Sequence, residues 1–580
     1  MRRPRFATAT ALVASGALVL SACADNGEDE AADNGDVGGT ITLAWPQPYD
    51  SFNNTTAGAN SFANGIVNEW VTTGFWNYAG EDGEVTPNET FGSYEQVSEE
   101  PLAVEYSIHE DAVWSDGEPI DCADAMLWWA VQSGQVGDFS QVSTMGIEDT
   151  VEPECEPGDK DFTLEYEQPF ADWHNNGPGQ GNNAMMPAHV VAEQGGLSTE
   201  ELIEAIREGD DDALTEAAEF FNEGWLIDGA LPEEEIIPSS GPYKLDSYAE
   251  GQHVTLTYNE NYWGEPPNTG TIVIREIPEE QQVQALENRE VDIINPQPTV
   301  DMANQIEAAE AAGIESTVDD QYSYEHLDFN FDSGPFADSL ELREAFALCV
   351  PRQTIVENLI QPVQPDAEVK DVRNIAPWDP GFDEAIDRSS EFIEEYGEQD
   401  IERARQILEE EDAVGTEVRL ETLDNERRNN AGTLIVQNCE EAGFDMEFVS
   451  TGDFFDTDGG LSQGTFDVAM FAWIGSSVLS NWNSTYETPD ECTAEAKGNN
   501  NGCYSDPAMD QMLDDILRET DRDEALSIAA DIERHLWEDL VTIPLYQHPN
   551  IAAWQPDIEN LVMNPTQTGL VWNMPEWSRG

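Results

Sequence analysis

The sequence predicts an α/β protein made of two or three domains. A chain of 580 residues is too long for one hydrophobic core. Short apolar segments typical of strands alternate with amphipathic helices, a pattern that favours α/β domains over an all-β sandwich. Hydrophobic residues make up 39% of the chain, and 16 Trp, 15 Tyr and 22 Phe supply packed cores, which excludes a disordered protein.

The first predicted elements are a strand in GTITLAW and a helix in ANGIVNEWV, where Ile66, Val67 and Trp70 recur at helical spacing. The segment LAVEYSIHEDAVWSDGEPI predicts a strand that runs into a tight turn at Ser115–Gly117. Asp121 is placed to cap the next helix, CADAMLWWAVQ, because its carboxylate can accept the free backbone N–H groups there.

Three later segments complete this coarse prediction. SSGPYKLDSYAEGQHVTLTYNENYWG is typical of a hairpin, and PEEQQVQALENREVDI predicts a helix followed by a short strand. EELIEAIREGDDDALTEAAEFFNEG is helical and strongly acidic, and we expect it to be a solvated surface excursion. No repeat of fixed period is present, so solenoids and propellers are excluded.

The N-terminus predicts export. Residues 1–22 combine an arginine-rich start with an apolar run too short for a membrane span, as in a cleaved signal peptide. Leu20–Cys23 has the form of a lipobox, which predicts cleavage before Cys23 and lipidation of its thiol. A plain secretory signal is the competing interpretation. Residues 23–39 are polar and acidic, which predicts a flexible linker.

The remaining cysteines predict disulfides. Besides the lipidated Cys23, the exported part contains the other six of the 7 cysteines, and an even number outside the cytoplasm is typical of bridges. Zinc is the competing interpretation, but no C-x-x-C pair exists and the spacings are irregular. If each bridge stays within one domain, the expected pairs are sequential: Cys122 with Cys155, Cys349 with Cys439, and Cys492 with Cys503.

The charge balance is strongly acidic. There are 119 Asp and Glu against 23 Lys and Arg, which gives a formal net charge of -96. The chain has no basic patch, so nucleic acid is excluded as a partner. Like charges at this density repel one another in the folded state, and salt relieves the repulsion. We therefore hypothesise adaptation to a salty environment.

Catalytic motifs are missing from the sequence. The mature part contains no G-x-S-x-G elbow, no H-E-x-x-H and no Walker phosphate loop. The fragment Asp456–Gly459 has part of a calcium-loop pattern but lacks the other ligands, which indicates a solvated turn. We expect no catalytic residues, no cofactor and no metal site.

Five segments with distinctive motifs follow one another along the mature chain. They are AVWSDGEPIDCADAMLWW, SGPYKLDSYAEGQHVTLTYNENYWGEPP, QALENREVDI, LDFNFDSGPFADSLELREAFALCVPRQTI, and CYSDPAMDQMLDDILRETDRDEALSIAADIERHLWEDLVTIPLYQH. Together they resemble the peptide-type extracytoplasmic solute-binding proteins of ABC importers, over nearly the whole mature chain. The chain departs from the family pattern at Pro351, where an Asp is usual, and at Asn288–Glu290, where a Gly is usual.

The resemblance implies a bilobal fold of the periplasmic-binding-protein type (type II, large cluster C) with an extra domain. Ligand would be buried between two lobes that close about a hinge. The domains would be discontinuous in sequence. Domain I would comprise residues 40–77, 179–323 and 547–580, domain II the insert 78–178, and domain III, the second lobe, residues 324–546.

The resemblance also implies a ligand site along the strand that contains FAWIG. In this family the strand pairs with the extended ligand backbone, which tolerates any ligand side chain. Ala472, Trp473 and Ile474 are the expected partners, and Trp473 and Trp482 would offer flat apolar walls. Packing in the core is the competing interpretation for both tryptophans. Many peptide receptors carry an Asp where this chain has Ser476. Either another carboxylate binds the ligand's ammonium group, or the ligand has no free amino end, or it is not a peptide.

Residues on the opposite lobe and near the hinge complete the implied site. The loop Gly58–Ser61 would present backbone to the other edge of the ligand. Ordinary packing or surface exposure is the competing interpretation for the hinge residues. The additional residues implied to bind ligand or to lie near the hinge are Ala59, Asn60, Ser61, Tyr322, Tyr324, Tyr546 and His548.

The function implied by the resemblance is capture of a peptide and its delivery to an ABC permease with ATPase subunits. The protein would be a monomeric lipoprotein on the outer face of the cytoplasmic membrane. The alternatives are the same role for a non-peptide solute, such as an oligosaccharide, an opine or a metal chelate, or a secreted hydrolase. Nickel is disfavoured because the 7 histidines form no cluster in the sequence.

The melting temperature is expected to rise steeply with NaCl, because a Debye length of about 3 Å at ~1 M salt screens the repulsion between carboxylates. Thermal unfolding followed by circular dichroism over a NaCl series measures this dependence. A melting temperature that does not change with salt would contradict the hypothesis of adaptation to high salt.

Overall fold

The computed structural model describes three stretches of the chain, residues 37–473, 478–494 and 496–580. The predicted signal peptide, Cys23, Ile474 and Ser476 lie outside these residues. Within the three stretches, none of the helices combines the length and the apolar character that a membrane span requires.

The strands, numbered in chain order, are β1 Thr40–Trp45, β2 Trp76–Ala79, β3 Glu84–Pro87, β4 Gly92–Glu99, β5 Leu102–Ile108, β6 Thr150–Val151, β7 Asp161–Tyr166, β8 Tyr243–Ala249, β9 His253–Tyr258, β10 Thr271–Glu276, β11 Ile293–Ile294, β12 Glu315–Phe329, β13 Glu417–Leu423, β14 Asp445–Thr451, β15 Val468–Trp473, β16 Thr542–Trp554, β17 Ile558–Glu559 and β18 Ser578–Arg579.

The α-helices are α1 Phe62–Asn68, α2 Cys122–Ser133, α3 Ala188–Gln194, α4 Thr199–Glu208, α5 Asp211–Glu223, α6 Glu279–Glu287, α7 Val300–Glu310, α8 Leu340–Cys349, α9 Arg352–Ile355, α10 Phe382–Tyr396, α11 Ile401–Glu410, α12 Glu426–Ala442, α13 Gly460–Gln463, α14 Asn481–Tyr486, α15 Pro507–Arg518 and α16 Arg522–Glu538.

A 10-stranded mixed sheet runs through the molecule in the order β14-β13-β15-β12-β16-β11-β1-β10-β9-β8. Strands from the C-terminal part of the chain form one half of the sheet, and β1 with β8 to β11 forms the other half. β1 is parallel to both β10 and β11. The predicted opening strand is confirmed as β1, and the predicted hairpin is confirmed as the antiparallel pair β8 and β9.

The two sides meet at β12 and β16, which are unusually long at 15 and 13 residues. They pair antiparallel along most of their length, and β16 also pairs with β11. The register shifts between the pair Asp320–Pro549 and the pair Tyr324–Gln547. The ladder is therefore interrupted at residues 321–323, in the middle of the sheet.

Separate hydrophobic cores pack against the two halves of the sheet, one with β1 and the other with β13. Ile41 of β1 and Trp114 belong to one core, and Phe346 of α8 and Leu420 of β13 belong to another. Strands and helices contribute to both cores. The α/β bilobal fold is therefore confirmed, whereas the boundaries of the three domains stay predictions.

The predicted strand, turn and helix around Asp121 are confirmed. The Asp121 carboxylate accepts the Ala123 N–H at 2.8 Å, and the Asp124 carboxylate accepts the Asp121 N–H at 2.9 Å, which forms a capping box at the start of α2. A second, 4-stranded sheet in the order β4-β5-β7-β6 accompanies this helix.

The prediction of a solvated excursion for the acidic segment 200–224 is wrong. The segment is helical, as expected, but its apolar residues point inward. Leu202 and Ile206 of α4 and Leu214 and Phe221 of α5 are buried in the same core as β1. These residues recur at the spacing of a helix face, so the carboxylates cover only the outer face of two packed helices.

All three predicted disulfides are confirmed: Cys122–Cys155, Cys349–Cys439 and Cys492–Cys503. The six cysteines after Cys23 are therefore oxidised in pairs and offer no thiolate to a metal.

Removal of the Cys349–Cys439 bridge should destabilise the protein more than removal of the Cys492–Cys503 bridge, because the two close loops of 90 and 11 residues. The loop-entropy model gives a difference of about 2 kcal/mol. Urea unfolding of the two double-alanine variants at one fixed salt concentration measures it. Equal losses, or a larger loss for the shorter loop, would contradict the expectation.

Candidate functional site

A cavity of about 710 Å³ lies beside β12 and β16 and takes its walls from both sides of the large sheet. This volume lies in the range of small-molecule sites. Its lining includes Trp45, Phe62 and Asn295 from one half of the sheet, Leu423, Arg427, Phe455 and Ala472 from the other half, and Gln321, Ser323 and His548 from the central strands.

Parallel strands explain why the cavity lies here. β1 and β11 are parallel, and the residues at or just after their carboxyl ends, Trp45 and Asn295, line the cavity. On the other side β13 and β15 are parallel, and Leu423 and Ala472 near their carboxyl ends also line it. The carboxyl ends of parallel strands gather at one edge, where ligands bind in open α/β sheets.

The interrupted ladder adds the central wall. Gln321 and Ser323, at the register shift in β12, both line the cavity. Across from them, the side chain of Asn295 donates to the Asn550 side chain and to the Ile551 carbonyl, both at 2.7 Å. Backbone that lies outside the β12–β16 ladder and amide side chains therefore meet at the junction of the two halves of the sheet.

A buried carboxylate lies at the base of the cavity. Glu325 of β12 is fully buried and accepts from Arg428 Nε at 2.6 Å and from His548 Nε2 at 2.9 Å. Burial alone would raise the pKa of Glu325, but Arg428 and His548 hold it well below its ordinary value. These contacts fix the start of α12 against β12 and β16.

The imidazole of His548 is kept neutral. Burial, followed by the positive charge of Arg427, lowers the pKa of His548 to about 4. Because Nε2–H donates to Glu325, Nδ1 is left as an acceptor, and Arg427 Nη2 donates to it at 3.2 Å. The imidazole therefore connects the buried carboxylate to a guanidinium that lines the cavity.

The strand predicted to pair with ligand is β15. On one edge Ala472 pairs with Glu325, and Trp473 pairs with Tyr324. On the other edge the ladder to β13 ends at the pair Thr422–Met470, so within the described residues β13 does not pair with residues 471–473. Ala472 lines the cavity at this point. One edge of residues 471–473 is therefore paired with β12, and the other edge lies past the end of the ladder with β13.

Trp473 is partly buried beside this edge. Its ring stacks on that of His326 with a centroid distance of 5.9 Å and an interplanar angle of 14°. Its Nε1–H is buried and has no hydrogen-bond partner among the described residues. Its assignment as a ligand wall stays a prediction.

Most other predicted ligand residues have structural contacts. Tyr324 and Tyr546 are fully buried, and Trp482 packs in a core with Tyr486. Tyr546 stacks on His548 at 5.5 Å. Tyr322 on β12 donates from its hydroxyl to Asp379 at 2.6 Å. Their contact with ligand stays a prediction.

The loop on the opposite side also has structural contacts. Ser61 caps α1 by accepting the Asn64 N–H at 3.1 Å, and the Asn64 side chain donates to the Ala59 carbonyl at 2.8 Å. Asn60 donates to the Asn54 carbonyl at 3.2 Å. The next residue, Phe62, lines the cavity. Direct contact of Ala59, Asn60 and Ser61 with ligand stays a prediction.

Sequence reasoning missed several lining residues. Asn295, Phe455, Arg427 and the buried Arg428 were not expected at the site. The dipeptide Arg427-Arg428 was an available signal, because the whole chain has only 23 basic residues.

The chain matches the model of a known protein family. The model of the family described as "Bacterial extracellular solute-binding proteins, family 5 Middle" matches residues 68–490. The chain belongs to this family. It is therefore a family 5 substrate-binding protein of the ABC transporter type, a class of extracytoplasmic binding proteins rather than of enzymes.

The chain is also similar to a curated relative and to two solved structures. An uncharacterized lipoprotein of Mycobacterium leprae is 27% identical, and the match covers 98% of each chain. The solved structure of the periplasmic EDTA-binding protein EppA has a TM-score of 0.79 at 24% identity, covering 94% of this chain and 97% of that one. The oligopeptide-binding protein AppA from Bacillus subtilis, in complex with a nonapeptide, has a TM-score of 0.69 at 18% identity, covering 94% and 99%. The two structural similarities establish the fold.

The substitution His548→Gln should reduce the loss of stability in mild acid. The folded state binds no proton at His548 until pH falls to about 4, whereas the unfolded chain does so near pH 6.5. The neutral imidazole therefore contributes stability that is present above about pH 6.5 and is lost toward pH 4. Between about pH 6.5 and 4.5 the variant should lose roughly 2 kcal/mol less than the wild type.

Urea unfolding at several pH values measures this slope. The control is His109→Gln, which replaces an exposed histidine. Equal slopes for the wild type and the His548→Gln variant would show that His548 is protonated normally.

Proposed function

We propose that this protein is a substrate-binding lipoprotein that captures a peptide in the cavity and delivers it to an ABC permease with its ATPase subunits. A lipid on Cys23 would hold it at the outer face of the cytoplasmic membrane. The observation that carries the proposal is the cavity itself, walled by both lobes, with the edge of β15 at residues 471–473 beside it.

Strand addition is the binding mode that this edge supports. An extended peptide that adds to a strand edge makes main-chain hydrogen bonds, so its affinity does not depend on particular side chains. Trp45 and Phe62, from the half of the sheet that contains β1, and Phe455, from the half that contains β15, offer apolar surface to the ligand's side chains. Backbone pairing and adaptable apolar walls together suit ligands of varied sequence.

Closure around the ligand follows from population shift. A ligand favours the closed form only if it contacts both lobes there more strongly than in the open form. The lining residues come from both sides of the 10-stranded sheet and from the register shift in β12, so one guest can meet this condition. The permease would then recognise the closed, loaded form.

A non-peptide solute is the second candidate. The solved structure of EppA, with a TM-score of 0.79, is named for binding EDTA, which is not a peptide. Amide side chains such as Asn295, Asn425 and Asn550 line the cavity and can bind an oligosaccharide, an opine or a metal chelate as readily as a peptide. A secreted hydrolase is less well supported, because the matching family is one of binding proteins.

Native mass spectrometry of the soluble Cys23→Ser form, purified in high salt, should show one peptide bound per chain. Titration with a pool of pentapeptides should give binding, and the same pool with N-methylated backbone amides should bind at least about tenfold more weakly, because it cannot form a full ladder with β15. Exclusive co-purification of a non-peptide solute, or equal affinity for both pools, would contradict the proposal.

A further inference from the structure

Three side chains of the kind that bind metal ions converge in the C-terminal part of the chain. Asp506, His535 and Asp539 each bring one donor atom to a group in which all donors lie within 4.8 Å of one another. In the part of the chain that the structure describes, it is the one group of three His, Cys, Asp or Glu residues with this spacing. None of the three is among the described residues that line the cavity.

The ends of two helices hold these donors in place. Asp506 is the N-cap of α15, and its carboxylate accepts the N–H groups of Ala508 at 2.7 Å and Met509 at 3.0 Å. His535 lies in the last turn of α16, and Asp539 is the C-cap of the same helix, four residues further on. Residues at this spacing share one helix face. Because α15 and α16 pack in one core, that packing sets the distances between the donors.

The distances suit coordination of an ion better than direct pairing. His535 Nε2 lies 3.6 Å from Asp506 Oδ1 and 3.8 Å from Asp539 Oδ2. A hydrogen bond from N–H to a carboxylate oxygen would measure about 2.7–3.2 Å. Two ligand atoms at about 2.0–2.2 Å from one Zn²⁺ in tetrahedral geometry lie about 3.3–3.6 Å apart. The imidazole is therefore close to both carboxylates and hydrogen-bonded to neither.

The charges of the group match a divalent cation. Among the described residues, no Lys or Arg nitrogen lies within 4.0 Å of either carboxylate, and Arg343 Nε donates instead to the backbone carbonyl of Asp539 at 3.0 Å. Two carboxylates and a neutral imidazole thus balance one divalent ion. The Tyr504 hydroxyl donates to Asp539 Oδ2 at 2.6 Å and lies 3.2 Å from His535 Nε2. Such an outer contact is typical of metal ligands, whose orientation it fixes.

We propose that Asp506, His535 and Asp539 bind one divalent transition-metal ion, with Zn²⁺ as the expected ion. Imidazole nitrogen together with carboxylate oxygen suits Zn²⁺, whereas Mg²⁺ and Ca²⁺ prefer oxygen donors alone. Three protein ligands leave a position for water. The ion would join the start of α15 to the end of α16 and so stabilise the packing of the two helices. Sequence patterns do not reveal this site, because it uses a single histidine and because Asp506 belongs to another helix.

Calorimetric titration of the Cys23→Ser form with Zn²⁺ in high salt tests the proposal, because the other six cysteines are paired and leave no free thiol. We expect one Zn²⁺ per chain, a melting temperature that rises with Zn²⁺, and Mg²⁺ binding that is at least about tenfold weaker. His535→Gln should weaken Zn²⁺ binding by at least about tenfold, since it removes a ligand. Asp506→Asn should have a similar effect while it keeps a good N-cap for α15.

The matched control is His189→Gln. Within the described stretches, the His189 imidazole has one carboxylate within 4.0 Å, that of Asp116 at 2.9 Å, and thus lacks a third donor. This variant should bind Zn²⁺ as tightly as the wild type. Melting temperatures in metal-free buffer establish that each variant is folded before it is titrated.

Three outcomes would overturn the proposal. The first is the absence of saturable Zn²⁺ binding to the folded wild type. The second is Zn²⁺ binding that neither His535→Gln nor Asp506→Asn weakens. The third is equal affinity for Zn²⁺ and Mg²⁺, which is expected of a diffuse acidic surface. Peptide binding does not enter any of these measurements, so the metal site and the proposed transport function are tested separately.

Discussion

The ladder between β12 and β16 is the interaction on which both lobes and the cavity depend. At 15 and 13 residues, these strands are long enough to belong to both sides of the 10-stranded sheet. Backbone hydrogen bonds form in such a ladder whatever the side chains are. The register shift after Asp320 interrupts the ladder beside the cavity. In the proposed mechanism, ligand therefore touches the segment about which the lobes would turn.

Charge compensation is the second constraint on this chain of net charge -96, because a carboxylate that stays ionised in the interior needs a partner. Glu325 and Glu533 are fully buried, and each has an arginine partner, Arg428 and Arg373 respectively. Breaking a buried pair costs about 3–5 kcal/mol, since it leaves one charge unpaired. The few basic side chains thus have high structural value inside the protein.

Elements with a local signal could be predicted from the sequence. Short segments determine β1, the capped helix α2 and the hairpin β8–β9. The disulfides join cysteines that follow one another in chain order. The acidic segment of α4 and α5 was misinterpreted because its charge was given more weight than the spacing of its apolar residues. The family pattern also has a physical basis here. Arg289, where a glycine is usual, adopts φ of 58° just after α6, a conformation that glycine adopts without strain.

The candidate site could be predicted only in part, because its walls come from distant segments. The resemblance located β15 and His548, but 256 residues separate Asn295 from Ile551, whose carbonyl it contacts. Arg427 and Arg428 show the limit most clearly. No sequence pattern distinguishes these two neighbours, and both line the cavity, yet only Arg428 binds the buried Glu325. The difference arises because α12 begins against β12, where only one of two successive helical positions can reach Glu325. Structural and ligand-facing roles are thus assigned by tertiary packing, and residue type alone cannot assign them.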